Sequence, residues 1–164
     1  MKKNIVEGRR KGNIVEYKIN KYPNAQQPGT LWYHDHAMSV TKANVAMGLY
    51  GFYLIRNHHI ESCLPHDQDE KFLLLSQLKS DPSKDFTTMS SSNFFTNRHY
   101  RLRILNGNFV SGYTISFEIL EPADKSKNLV EFRFIGSDSA IRNKISEKFT
   151  EVTLTPAERT DIIL

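Results

Sequence analysis

Polar and apolar residues alternate most regularly over residues 113–119. Tyr113, Ile115, Phe117 and Ile119 fall on one face of an extended chain, and Thr114, Ser116 and Glu118 on the other. Shorter stretches at 14–19, 51–55, 72–75, 100–105, 130–135 and 152–154 are rich in β-branched and large apolar residues and read as further strands. Breakers separate them: Pro23-Asn24, Pro28-Gly29, Asn106-Gly107, Glu121-Pro122 and Gly136-Ser137-Asp138. No long amphipathic helix is visible, and residues 41–47 supply at most a helical turn. Many short strands with frequent turn signals predict an all-β sandwich or barrel.

Two stretches lack the strand pattern. Residues 58–70 hold His58, His59, Pro65, His66 and several acids, and read as a linker. Residues 79–97 are rich in Ser, Thr and Asn and read as a surface loop. The chain therefore divides into residues 1–57, a linker at 58–70, and a second unit at 71–164. The first is too short for a sandwich of about 100 residues and seven strands, and the second comes close.

Composition narrows the function classes. The 164 residues are 39% hydrophobic and 24% charged, with a formal net charge of +4. Lys and Arg are interspersed with Asp and Glu, and no basic block is interleaved with aromatics, so nucleic acid is not an expected partner. No run approaches the ~18 apolar residues that span a membrane, and no apolar leader follows Met1. The single Cys63 has neither a disulfide partner nor a CxxC neighbour. No glycine-rich phosphate loop, GxSxG elbow or paired-carboxylate signature is present.

His34 and His36 carry the candidate chemistry. In an extended chain, residues i and i+2 share a side and stand about 6–7 Å apart. Two imidazoles so placed suit one metal, or one metal each in a close pair. Asp35 then points the other way and is a hydrogen-bonding group rather than a ligand. Trp32 shares the histidines' side and would wall the site from water. On the spacing alone, a pair of half-exposed surface histidines is the commoner explanation. A cupin-type site also uses His-x-His but needs a Glu shortly afterwards, and none follows His36 until Glu61.

The surroundings are more specific. Gly29-Thr30-Leu31-Trp32-Tyr33-His34-Asp35-His36-Ala37-Met38, continued by Asn44 to Arg56, closely resembles the second His-x-His motif and the strand closing the first cupredoxin domain of the multicopper oxidase family. The Asp between the histidines is most similar to the branch of spore-coat laccases, bilirubin oxidases and plant root oxidases. Residues 100–106 (YRLRILN), 134–138 (FIGSD) and 154–163 (LTPAERTDII) resemble strands of the family's second cupredoxin domain, in the same order.

The resemblance implies cupredoxin-like Greek-key sandwich pieces, one partial at 1–57 and one nearly complete at 71–164. It implies copper as cofactor, with His34 and His36 each serving one copper of a type 3 pair. It also implies a small-molecule reducing substrate and dioxygen as partners of the full-length family, which is usually secreted, periplasmic or in the cell wall. The family's other paired histidines and its His-Cys-His run have no counterpart here, and no His flanks Cys63. The expectation is an incomplete piece, inactive alone, whose missing ligands come from elsewhere, including another chain. The alternative is a non-catalytic copper-binding or structural module. Between Leu75 and Tyr100 the family's longer run is shortened, which predicts a missing strand and an uncovered sheet edge. His99 reads as a surface residue, and Arg101 and Arg103, alternating with Leu102 and Ile104, read as solvent-facing. Asp138 reads as a turn residue bonding its own backbone, and Glu158-Arg159 as a structural turn pair.

Overall fold

The computed structural model describes residues 5–10, 13–18, 21–76, 86–89, 94–95, 97–120 and 127–164. Two hairpins come first. β1 (Ile5–Arg10) pairs with β2 (Asn13–Lys18), and β3 (Gly29–His34) pairs with β4 (Tyr50–Ile55), all antiparallel. A six-residue helix, α1 (Thr41–Ala46), lies in the excursion between β3 and β4. The one-turn α2 (His58–Glu61) follows β4. Asn57 caps it, its Oδ1 accepting the His59 and Ile60 N–H groups.

A seven-stranded sheet forms the body. Its path runs β12 (Ala140–Ile141), β11 (Phe132–Ser137), β15 (Arg159–Ile163), β7 (Arg101–Asn106), β5 (Glu70–Ser76) and β6 (Phe86–Met89), with β13 (Lys148–Phe149) also on β11. β5 and β7 run parallel, with Glu70 opposite Arg101 and Leu73 opposite Ile104. β8 (Tyr113–Ser116) pairs with β14 (Glu151–Leu154), and β9 (Glu118–Leu120) with β10 (Lys127–Leu129).

The central strand β7 is buried at all six positions because both faces of the sheet are covered. Leu102 and Ile104 face one way, into an apolar core with Leu73, Leu75, Phe132, Val152, Leu154 and Ile162. The β8–β14 pair closes that side, with Tyr113, Ile115 and Phe117 packed inward. The other face meets the β3–β4 hairpin. There Leu105 joins Val45, Tyr50, Trp32 and Phe52, and Phe72 meets Phe52 edge-on with ring centroids 5.4 Å apart. The hairpin sits close. A Cβ on Gly29 would lie 2.8 Å from the Ser139 backbone, and one on Gly107 would run into the Tyr50 ring.

Several expectations need correcting. Arg101 and Arg103 do not face solvent: they are 1% and 0% exposed. Alternation of charged and apolar residues signals an outer face only when one side of a strand meets water, and here the hairpin covers that side. The polar stretch at 79–97 is not all loop, because β6 extends the sheet edge beside β5. Residues 77–85, 90–93 and 96 within or next to that stretch lie outside the described residues. The 113–119 strand breaks at Phe117, whose carbonyl accepts the Val130 N–H, so the chain changes partner from β14 to β10 and leaves Ile119 exposed. Asp138 sits at φ 45° and bonds across to β15, accepting the Arg159 backbone N–H.

Candidate metal centre

His34 ends β3 opposite Tyr50, and His36 lies just beyond the strand. Both rings are exposed, with centroids 5.9 Å apart and planes tilted by 40°. The expectation placed both residues on one strand about 6–7 Å apart; the strand instead ends at His34, and the two rings approach to 5.9 Å between centroids. Trp32, two residues earlier, stacks on the His34 ring at 4.4 Å and 29°. It meets Tyr50 edge-on at 6.2 Å. One side of His34 is therefore held by an aromatic wall rooted in the apolar cluster under the hairpin. The pair borders a depression of about 710 Å³ also lined by Tyr22, Gln26, Tyr33 and Tyr53.

Hydrogen bonding sets the chemistry of His34. Its Nδ1 lies 2.7 Å from the Asp35 carbonyl oxygen. A carbonyl only accepts, so Nδ1 carries the proton and Nε2 of the neutral ring keeps its lone pair for a ligand. A backbone carbonyl on the far nitrogen is the usual partner of a metal-bound imidazole. The Asp35 carboxylate is engaged by the loop that follows. Its Oδ2 accepts the Ala37 N–H at 3.0 Å and the Asn44 Nδ2–H at 2.9 Å. Those two hydrogen bonds hold the carboxyl below the usual carboxylate range. Among the described residues no group of three or more His, Cys, Asp or Glu side chains is arranged to hold a metal ion. The described chain thus supplies two imidazole donors, and no third.

The remaining histidines stay apart from this pair. His58, His59, His66 and His99 are exposed, and the Nδ1 groups of His66 and His99 donate to the Leu64 and Leu164 carbonyls. Cys63 is a free, exposed thiol.

A second polar cluster lies beneath the hairpin, unannounced by any local motif. Arg103 donates to Glu70 Oε1 at 2.6 Å, Thr30 Oγ1 at 2.7 Å, Glu61 Oε1 at 2.8 Å and Asp161 Oδ2 at 3.1 Å. Arg101 donates to Glu61 Oε1 and Asp161 Oδ2, each at 2.7 Å. Arg56 grips Glu70 from the rim through both terminal nitrogens. The Thr30 hydroxyl accepts from Arg103 and donates to Asp161 Oδ1. Three guanidinium groups thus meet three carboxylates. Burial pushes Glu61 and Glu70 upward. Hydrogen bonds from Arg101 and the Asn57 N–H outweigh that at Glu61, as do those from Arg56 and Arg103 at Glu70, so both end below the usual range. The Glu70 carboxylate in turn raises Arg56. Arg101 Nε alone of the buried side-chain polar atoms described has no partner. The cluster ties β3, the residue after β4, α2, β5, β7 and β15 together. Glu61 and Glu70 anchor both ends of the stretch expected to be a linker.

The fold is that of an all-β, cupredoxin-like protein, and comparison with known proteins agrees. The crystal structure of the McoA multicopper oxidase from Aquifex aeolicus superposes with a TM-score of 0.68 at 20% identity, over 93% of this chain and 37% of that one. A family model described as multicopper oxidase matches residues 11–59, which contain both histidines. A laccase of Bacillus stratosphericus is 30% identical over 186 aligned residues, covering 93% of this chain and 34% of that protein. A rice protein, multicopper oxidase LPR1 homolog 1, is 50% identical over 58 residues, 34% of this chain and 10% of its own length. The chain belongs to the multicopper oxidase family. It spans about a third of the length of the laccases it matches.

Proposed function

We propose that His34 and His36 are copper ligands, each serving one copper of a type 3 pair within a trinuclear cluster. The single observation that supports this most is the orientation of two exposed imidazoles 5.9 Å apart, with the His34 proton fixed on Nδ1. The donor set fits copper, since imidazole nitrogen is a favoured ligand of that metal. Copper, when bound, supplies the one-electron chemistry that couples oxidation of a small reducing substrate to reduction of dioxygen to water. The residues of this chain bind and orient: Trp32 shields one face of His34, and the Asp35 carbonyl fixes its tautomer. In this reading residues 1–57 close a first cupredoxin-like domain, 58–70 link, and 71–164 form a second, shortened one.

Oxygen turnover needs donors beyond these 164 residues. They contain one His-x-His and no His-Cys-His, and two imidazoles do not hold three metal ions. A further stretch of polypeptide, in the same protein or in another chain, completes the cluster. A second reading, a copper-binding module without catalysis, draws support from the exposure of both rings, which leaves room for water as the remaining ligands. Two experiments separate the outcomes. Calorimetric titration with copper shows binding that His34→Ala and His36→Ala each weaken; equal, negligible heats in all three proteins would remove the copper reading. Oxygen uptake with a phenolic or ferrous substrate stays at background for the copper-loaded chain. Turnover abolished by His34→Ala would show that the chain is catalytic alone.

A further inference from the structure

Asp35 bonds His34 through its backbone carbonyl and closes a turn around His36 through its carboxylate. Its backbone carbonyl takes the His34 Nδ1–H at 2.7 Å. Its carboxylate Oδ2 takes the Ala37 N–H at 3.0 Å, which closes an Asx turn with His36 as the middle residue. Such a ring restricts the backbone torsions of the residue it encloses, so the direction in which the His36 side chain leaves the chain is set by Asp35. The same oxygen holds Asn44 Nδ2 at 2.9 Å. Asn44 lies in α1, and its carbonyl accepts the Met47 and Leu49 N–H groups. Leu49 in turn accepts the Asp35 N–H at 3.1 Å, just past the last β3–β4 pair. Asp35 therefore pins the start of the loop to its helix and to its return strand. Without these contacts His36, which lies outside the strand, has no ladder to hold it.

We propose that Asp35 is the positioning residue of the pair, acting through its oxygen as an acceptor and not through its charge or as a ligand. This rests on the copper reading of His34 and His36. Both hydrogen bonds of the side chain end on one oxygen, so an amide in its place retains an acceptor for Ala37 and Asn44, while a methyl retains none. The partners that orient a metal-bound imidazole are worth about 10–100-fold in metal affinity.

The test is a titration of the full chain with Cu(II) alone, using wild type, Asp35→Asn, Asp35→Ala and Asn44→Ala, each checked for native circular dichroism. Asp35→Ala is expected to bind about 10–100-fold more weakly, Asn44→Ala to fall between it and wild type, and Asp35→Asn to stay within about threefold of wild type. Equal losses in Asp35→Asn and Asp35→Ala would overturn the proposal, since charge or ligation would then be at work. So would a folded Asp35→Ala that binds like wild type. A metal-free readout separates this proposal from the copper reading. Backbone 15N relaxation is expected to show an ordered His36 amide in wild type and Asp35→Asn, and a mobile one in Asp35→Ala, which loses the Oδ2 acceptor for Ala37 and Asn44. If that pattern holds while wild type takes up no copper, the positioning role stands and the copper reading fails. If His36 is equally ordered in all variants, the positioning role fails whatever the copper does.

Discussion

Arg103→Met removes the centre of the buried ion cluster while keeping a side chain of comparable length. The wild-type guanidinium is fully buried and meets Glu70, Thr30, Glu61 and Asp161 at 2.6, 2.7, 2.8 and 3.1 Å. Three carboxylates would then face two arginines, leaving one negative charge uncompensated beneath the hairpin. Removing one partner of a buried ion pair costs about 3–5 kcal/mol, most of it the penalty of the stranded charge. Domain stabilities are about 5–15 kcal/mol. A loss near 4 kcal/mol therefore takes a quarter or more of the total. It should lower the midpoint of thermal unfolding by roughly 8–16 °C, at about 2–4 °C per kcal/mol for a chain of this size. Circular dichroism melts and urea titrations at pH 7 give both numbers. The control is Lys148→Met, which breaks an ion pair whose partners are both about half exposed and should cost under about 1 kcal/mol. The penalty of Arg103→Met should also narrow as the pH falls toward about 4, because a stranded carboxyl that takes up a proton is no longer a buried charge. A loss below about 1 kcal/mol, unchanged between pH 7 and about 4, would refute the electrostatic reasoning.

Two further outcomes follow from the same structure. Glu61 and Glu70 have folded-state values below their unfolded ones, so their contribution is complete above the ordinary Glu value of about 4.3 and is lost as the pH drops through the folded values. Denaturant midpoints should be flat from about pH 6 to 7 and fall steeply below about pH 4.3; a flat profile down to about pH 3 would contradict this. Gly107→Ala places a methyl against the Tyr50 ring, and overpacking of that kind costs about 1–3 kcal/mol. Because Tyr50 contacts Trp32, which stacks on His34, the substitution should also shift the emission of the single tryptophan.

The sequence showed the strands that have one wet face. Thr114 and Ser116 are exposed and Tyr113, Ile115 and Phe117 turn inward, so the period of two reported the true faces. Arg101-Leu102-Arg103-Ile104 has the same pattern with the opposite meaning. What covers the arginine face is the β3–β4 hairpin, and what neutralises it are Glu61, Glu70 and Asp161, between 31 and 60 positions away from one arginine or the other. No local period carries that information, because it depends on which surfaces meet after folding. The very short strands β12 and β13, two residues each, escaped for a different reason: pairing with β11, not composition, makes them strands. His34 and His36 were legible because the i, i+2 relation is local and their flanks are distinctive. The anchoring of Asp35 to Asn44 spans nine residues of irregular chain and required the folded loop.

In the proposed site His34 and His36 each bind copper through imidazole nitrogen. Electron paramagnetic resonance of the Cu(II)-loaded chain, made with 15N-labelled histidine, reports those nitrogens. Nitrogen hyperfine splitting is expected that changes with the isotope and disappears in the His34→Ala, His36→Ala double variant. A spectrum that is identical in wild type and in the folded double variant would contradict it.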